Sequence, residues 1–217
     1  MDWIVKVGGS LFPEDAVNLS KALVGKSVMV ICGGGELANL LRQYDERMDY
    51  SDTAAHKSAI LCMDILGMLL ADKIPGAEGV HSIDQAEKAI HDGKLPVFLP
   101  SQFLSREDPL EHSWRVTSDS LSLYIAHQLK AKLLIATDVD GIYDQKPSKN
   151  GAQLIRNISA KKLLDFNETS VDDFLAGLLL QYRSSCYVIN GMHPERVLSI
   201  IEDKSNEDTK YTLIGGI

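Results

Sequence analysis

Short apolar runs alternate with helix-patterned segments along the whole chain, and this alternation constrains the fold more than any other feature. Residues 3–7, 27–32, 95–99, 132–137 and 186–190 are rich in β-branched residues and apolar at successive positions. A strand with one wet face would alternate polar and apolar, so these runs read as strands of a parallel sheet covered on both sides. Helical patterns fill the gaps at 13–25, 36–47, 52–72, 82–93, 117–129, 171–183 and 194–202, and 211–214 reads as a last strand. Local signals support several starts. Pro13 suits a first turn, Ser51 can cap the long central helix, and Ser82 with Gln85 has capping-box form. The expected class is α/β, a three-layer α-β-α sandwich around an open, mostly parallel sheet. No internal repeat or low-complexity linker divides the chain, so one domain over 1–217 is expected. Segments 100–114 and 143–157 are polar, contain prolines and are long enough to be functional loops.

The first strand carries an anomaly. "IVKVGGS", residues 4–10, places Lys6 at the centre of an apolar run and follows it with Gly8 and Gly9. Withdrawing an ammonium from water costs several kcal/mol, so Lys6 needs an anion: a carboxylate of the fold or a bound phosphate. A second glycine turn, Gly33-Gly34-Gly35, follows "VMVIC" and precedes a helix. Tight helix–sheet packing would explain one such turn. Two matched turns at strand ends, one led by a lysine, point instead to an anionic ligand held by backbone N–H groups.

Bulk properties narrow the ligand. The net charge is -8, with 22 basic and 30 acidic residues, which argues against nucleic acid as a partner but permits a small anion in a locally positive pocket. Cys32, Cys62 and Cys186 are scattered and form no CxxC pair, as reduced thiols of a cytoplasmic protein would be. No signal-peptide pattern opens the chain, and the apolar stretch 60–70 is broken by Asp64 and too short for a bilayer, so no membrane role is expected. A Walker loop is absent. Gly33-x-Gly35-x-x-Ala38 meets the loose dinucleotide pattern, yet no acidic residue ends a strand at the required distance downstream.

Two further segments complete the set. "VTSDS", residues 116–120, opens a helix, where Ser118 or Asp119 could be a simple cap. "LLIATDVDGIYDQKP", residues 133–147, runs from a buried strand into Thr137, Asp138, Asp140, Gly141, Tyr143 and Lys146. That is an ordinary acidic turn or, at a strand's carboxyl end, a nucleotide-binding one.

In this order, Lys6 to Ser10, Gly33 to Gly35, Thr117 to Asp119 and Thr137 to Tyr143 resemble the amino acid kinase superfamily, which includes carbamate, acetylglutamate, uridylate and isopentenyl phosphate kinases. The resemblance covers essentially the whole chain, through "YVINGMHPERV" to "YTLIGGI". It implies ATP as co-substrate with Mg²⁺, a small phosphorylated acceptor, and a homodimer or larger homo-oligomer. By the same implication Lys6 bridges the phosphates during transfer and Asp119 organises the site. Gly8, Gly9, Ser10, Thr137, Asp138, Tyr143 and Lys146 then contact ATP. Gly33, Gly34, Gly35, Thr117, Ser118 and His56 face the acceptor. No protein ligand for the metal is implied, since phosphates and water can hold it.

Departures from particular relatives narrow the acceptor. Where uridylate kinases carry an arginine one turn after the triple glycine, this chain has Asn39, with Arg42 the nearest base; their uridine-side aspartate is Ala55 here. The late lysine of acetylglutamate-type relatives is missing, which leaves Arg183 or Lys146 to replace it unless no replacement is needed. The stretches 55–60 and 114–121 look most like a compact archaeal branch that phosphorylates (5-(aminomethyl)furan-3-yl)methyl phosphate in methanofuran biosynthesis. Uridylate or isopentenyl phosphate kinase is the alternative, and an ATP-binding oxoanion-storage protein of the same fold is the non-catalytic rival. Isopentenyl phosphate kinases place a histidine on the substrate phosphate; His56 stands in a comparable helix whose Met and Leu face suits core or a subunit interface. An acceptor amine would favour a carboxylate, for which Asp45, Asp49 and Asp172 are candidates.

Overall fold

The computed structural model describes residues 1–146, 148, 151–166 and 169–216. Its strands are β1 (Trp3–Val7), β2 (Val28–Cys32), β3 (Ala77–Val80), β4 (Leu95–Phe98), β5 (Lys132–Thr137), β6 (Asn157–Ser159), β7 (Ser185–Asn190) and β8 (Thr212–Gly215). They form one sheet in the order β3-β4-β2-β1-β5-β7-β8-β6. Every pairing is parallel except β7 with β8. The helices are α1 (Glu14–Leu23), α2 (Gly35–Met48), α3 (Asp52–Lys73), α4 (Ile83–His91), α5 (Ser101–Leu104), α6 (Ser118–Leu129), α7 (Ala160–Leu163), α8 (Leu175–Tyr182) and α9 (Pro194–Ile201).

The sheet has a core on each face, as both-sided apolar strands require. Ile4, Ile31, Ile135 and Val188 pack under α6 and α8, with Leu121, Ile125, Leu175 and Leu179. Val5, Val7, Val30 and Ala136 pack on the other face against α1 and α9, through Leu19, Leu23, Val197 and Ile200. Because side chains alternate along a strand, Lys6 shares the α6 face with Ile4.

The expected class and the main elements agree with this architecture, while several boundaries differ. Pro13 stands at the cap position of α1 instead of inside its first turn. The cap of α6 is Thr117, whose hydroxyl oxygen receives the Asp119 N–H, rather than Ser118 or Asp119. α8 starts at Leu175 and not near residue 171, because the preceding residues curl around the Asp172 carboxylate. β3 and β6 are edge strands that the sequence reading leaves as loop: β3, "AEGV", is mostly uncovered and β6 has three residues. Part of the expected loop 143–157, Pro147, Lys149 and Asn150, lies outside the described residues, as does Ile217 of the closing strand motif.

α3 is the one helix among the described residues with the length and apolarity of a membrane span. It lies along the sheet instead, and its buried Asp64 accepts hydrogen bonds from the Ser101 N–H and hydroxyl.

Connectivity locates the crevice. From β1 the chain moves outward on one side through β2 to the edge strand β3, returns to fill in β4 between them, then crosses to place β5 on β1's other side. In such sheets the carboxyl ends at this reversal open a gap for ligands. The glycine turns after β1 and β2 and the acidic turn after β5 all stand at that gap.

Candidate active site

Lys6, next to last in β1, meets Asp119 in the first turn of α6, Nζ to Oδ1 2.7 Å, with side chains only 9% and 7% exposed. A carboxylate of the fold therefore stabilises the buried ammonium. Asp119 is itself fixed, because its Oδ2 accepts the N–H of Asp172 at 3.2 Å. The Asp172 carboxylate in turn accepts six hydrogen bonds: from the N–H and hydroxyl of both Thr117 and Ser120, and from the N–H groups of Phe174 and Leu175. Burial pushes the Asp172 carboxyl above the usual carboxylate range, and the Asp119 charge adds to this, against the pull of those donors. Asp172 is thus a clamp on the start of α6. With both oxygens engaged, it is not placed to receive an acceptor amine.

The two glycine turns touch backbone to backbone. A Cβ at Gly9 would stand 2.3 Å from the Gly35 Cα, one at Gly8 2.9 Å from the Ala136 carbonyl oxygen, and one at Gly33 3.1 Å from Ser118 Oγ and 3.5 Å from Lys6 Cε. Gly35 also has φ +54°, which favours glycine. No side chain caps α2, whose first turn is Gly34-Gly35-Glu36. The N–H groups of that turn are free to hold an anion.

Two cavities open above the pair. One, of about 720 Å³, is lined by Gly9, Ser10, Gly33, Gly34, Gly35, Asn39, Arg42, His56, Trp114, Thr117 and Ser118. The other, of about 1320 Å³, is lined by Ser10, Thr117, Thr137, Asp138, Tyr143, Lys146 and Asp172. Ser10 and Thr117 face both; Lys6 and Asp119 line neither, and the pair lies just behind them, Lys6 against Gly33 and Asp119 hydrogen-bonded through its N–H to Thr117.

The expected acceptor residues are thus brought together in one cavity. Those expected on ATP divide: Thr137, Asp138, Tyr143 and Lys146 line the larger cavity, Gly9 lines the smaller, Ser10 lines both, and Lys6 and Gly8 line neither. Gly8 instead ties β1 to β5, its N–H donating to the Ala136 carbonyl at 2.8 Å. Arg183 caps the carboxyl end of α8, just before β7 begins, at the sheet edge opposite the site. Of the two candidate replacements for the missing lysine, Lys146 is the one at a cavity.

The loop after β5 is anchored from a distance. The Ile142 N–H donates to Thr212 Oγ1 on β8, and Asp140 pairs with Arg196 of α9 at 2.8 Å and with Lys210 at 3.4 Å. Burial opposes ionisation of Asp140, yet these cations outweigh it and hold its carboxyl below the usual range. Tyr143 reaches the same carboxylate at 3.5 Å, and the Thr137 hydroxyl donates to Asp138. The sequence reading missed Arg196 and the clamping role of Asp172. "HPERV" stood among the recognised segments but carried no sign of its partner.

In the smaller cavity, His56 is 4% exposed, with Nε2 3.0 Å from Asp108 Oδ2 and its ring stacked on His112. Desolvation lowers its pKa, and the Asp108 carboxylate only partly offsets that. Arg42 lies over the Trp114 ring, whose Nε1–H donates to Asp45 at 2.7 Å. Arg42 and Trp114 also line an annex of about 600 Å³ that contains Asp45 and Asp49. The buried Cys32 thiol, pushed up to about 12 by burial, stays protonated and unreactive at neutral pH.

Comparisons with known proteins identify the family. The chain is 43% identical to (5-(aminomethyl)furan-3-yl)methyl phosphate kinase of Methanocaldococcus jannaschii, over 99% of this chain and 98% of that protein. It is 26% identical to the uridylate kinase of the same organism, covering 81% and 79% of the two chains. Among solved structures, uridylate kinase from Archaeoglobus fulgidus matches with a TM-score of 0.73 at 23% identity, covering 99% of this chain and 100% of that one. An isopentenyl phosphate kinase from T. acidophilum matches at TM-score 0.63 and 20% identity, with coverage of 99% and 100%. The sequence model of the amino acid kinase family matches residues 1–190, and the chain belongs to that family.

Proposed function

We propose that this protein transfers the γ-phosphoryl group of ATP to a phosphate monoester, releasing ADP and a diphosphate, with (5-(aminomethyl)furan-3-yl)methyl phosphate as acceptor. The observation that carries the reading is the buried Lys6–Asp119 pair just behind the junction of two cavities, beneath two touching glycine turns. ATP occupies the larger cavity against Thr137, Asp138, Tyr143 and Lys146. The acceptor's phosphate lies at the uncapped first turn of α2. An oxygen of that phosphate attacks the γ-phosphorus, and the bond from that phosphorus to the β,γ-bridging oxygen breaks. The acceptor oxygen is already ionised, so no strong base is needed. Lys6 and the glycine amides meet the charge that spreads over the equatorial oxygens. Asp119 aims Lys6. Mg²⁺ accompanies ATP, and Asp138, which lines the larger cavity, is a carboxylate able to face it.

The 43% identical relative supports the choice of acceptor, and so does the annex. It extends the smaller cavity past Trp114 to Asp49, a group of the charge an aminomethyl end requires, whereas both Asp45 oxygens are taken by the Tyr50 N–H and the Trp114 Nε1–H. The uridylate reading is weaker because Ala55 and Asn39 stand where its recognition residues are expected. We also propose one domain over 1–217 and self-association through α2 and α3. Leu37, Leu40, Tyr44 and Met48 on α2, with Leu61, Ile65 and Met68 on α3, are exposed at three- and four-residue spacings.

The test is ADP release from ATP by the purified protein across phosphate monoesters: the aminomethylfuran phosphate, uridylate and isopentenyl phosphate. The expected result is kcat/KM highest for the first by at least about tenfold, or about 1.4 kcal/mol of discrimination. ATP binding without turnover on any acceptor would favour the storage reading.

A further inference from the structure

Outside the reacting centre, three metal-ligating side chains converge on one point. His56 belongs to the first turns of α3, whereas Asp108 and His112 lie four residues apart on the segment between α5 and α6. Their ligand atoms all fall within 4.8 Å of one another. The Nε2 atoms of His56 and His112 approach the same carboxylate oxygen, Asp108 Oδ2, at 3.0 and 3.3 Å. The imidazole rings lie nearly parallel, centroids 4.5 Å apart, so both nitrogens are presented from one side.

Hydrogen bonding alone could hold this cluster, each Nε2–H donating to Asp108 Oδ2. One observation remains unexplained by it. The other carboxylate oxygen, Oδ1, is buried and has no hydrogen-bond partner among the described residues, and the Asp108 side chain is only 10% exposed. A carboxylate oxygen removed from water requires a donor or a cation. The surroundings of His112 favour the cation. Thr53 Oγ1 lies 2.9 Å from His112 Nδ1. That hydroxyl can accept Nδ1–H, the tautomer that leaves the Nε2 lone pair facing the carboxylate, as an outer partner does for a metal-bound imidazole.

We propose that His56, Asp108 and His112 bind one divalent transition-metal ion of the Zn²⁺ type. Two imidazoles and a carboxylate suit Zn²⁺, Co²⁺ or Ni²⁺ better than Mg²⁺, which prefers oxygen, and three protein ligands leave a position for water. The groove between Lys57, Gln102, Ser105 and Asp108 gives access from solvent. A metal here joins α3 to the segment that supplies Trp114 and Thr117 to the acceptor cavity. It orders that wall and takes no part in the transfer.

The test uses the full chain, stripped with chelator and dialysed. Co²⁺ titration with Mg²⁺ in excess should give one equivalent per chain, with the visible absorption of low-coordinate Co²⁺, and Zn²⁺ should displace it. Both His112→Gln and Asp108→Asn should weaken Co²⁺ affinity by at least about tenfold, and Zn²⁺ should raise the melting temperature of the wild type alone. Circular dichroism of the metal-free variants checks that they fold. No stoichiometric binding by the wild type, or undiminished binding by a folded variant, overturns the proposal. None of these readouts depends on kinase turnover, so they stand apart from the reading of the reaction.

Discussion

Lys6 is a structural liability and, in the proposed reaction, the working group of the site. Its ammonium and the Asp119 carboxylate are each more than nine-tenths buried, and removing either leaves the other without compensation. Lys6→Ala is therefore expected to lower stability by about 3–5 kcal/mol. Loss of a charge aimed at the transition state should also cut kcat at least about 10²-fold. Turnover measured below the variant's melting temperature separates the two effects, and near-normal kcat there would remove Lys6 from the mechanism. Asp140 offers a pH test. Its pKa is lowered in the folded protein, so it contributes stability above its unfolded value, about 3.9, that is lost as pH falls through the folded one. The stability gap between wild type and Asp140→Asn, followed by denaturant melts, should be full at neutral pH and shrink below about pH 4. Lys6 was legible in the sequence because an apolar run cannot tolerate an unpaired cation. Asp172 was not, since nothing local distinguishes the carboxylate that will be buried from those that stay wet.

At the scale of elements, the contact between the glycine turns decides the geometry. A methyl group at Gly9 would fall 2.3 Å from the Gly35 backbone, which cannot rotate away. Gly9→Ala should cost about 1–3 kcal/mol and separate β1's turn from the start of α2. Steady-state kinetics should show kcat falling further than the stability loss explains. Gly177→Ala is the matched control, because no atom lies within 4 Å of its added Cβ. In the first turn of α8 that change should stabilise by less than about 1 kcal/mol and leave kcat alone. The sequence marked both turns, since Gly33-Gly34-Gly35 forfeits propensity for helix and strand at once. That the turns would touch each other, and that Gly8 would serve the sheet while Gly9 faces the smaller cavity, depends on the register of β1 between β2 and β5. The start of α8 escaped for a similar reason: its first apolar residues match a helix, but hydrogen bonds to Asp172 hold them in a turn.

For the whole molecule, the open question is how many copies work together. The exposed apolar residues of α2 and α3 form a face that solvent alone would not favour. The double substitution Ile65→Glu, Met68→Glu should convert a dimer or larger assembly into monomers in sedimentation equilibrium. A wild type that is already monomeric at micromolar concentration would refute this interface. By itself the sequence determined the layered α/β class, six of the eight strands in their order along the chain, and the presence of two glycine turns at strand ends. Those properties follow from periodicity, branching and glycine content, which act between near neighbours. Only the tertiary structure decided that Asp172 would clamp α6 and that His56, Asp108 and His112 would converge. Burial and desolvation arise from residues that the sheet brings together from distant parts of the chain, and no local pattern records them.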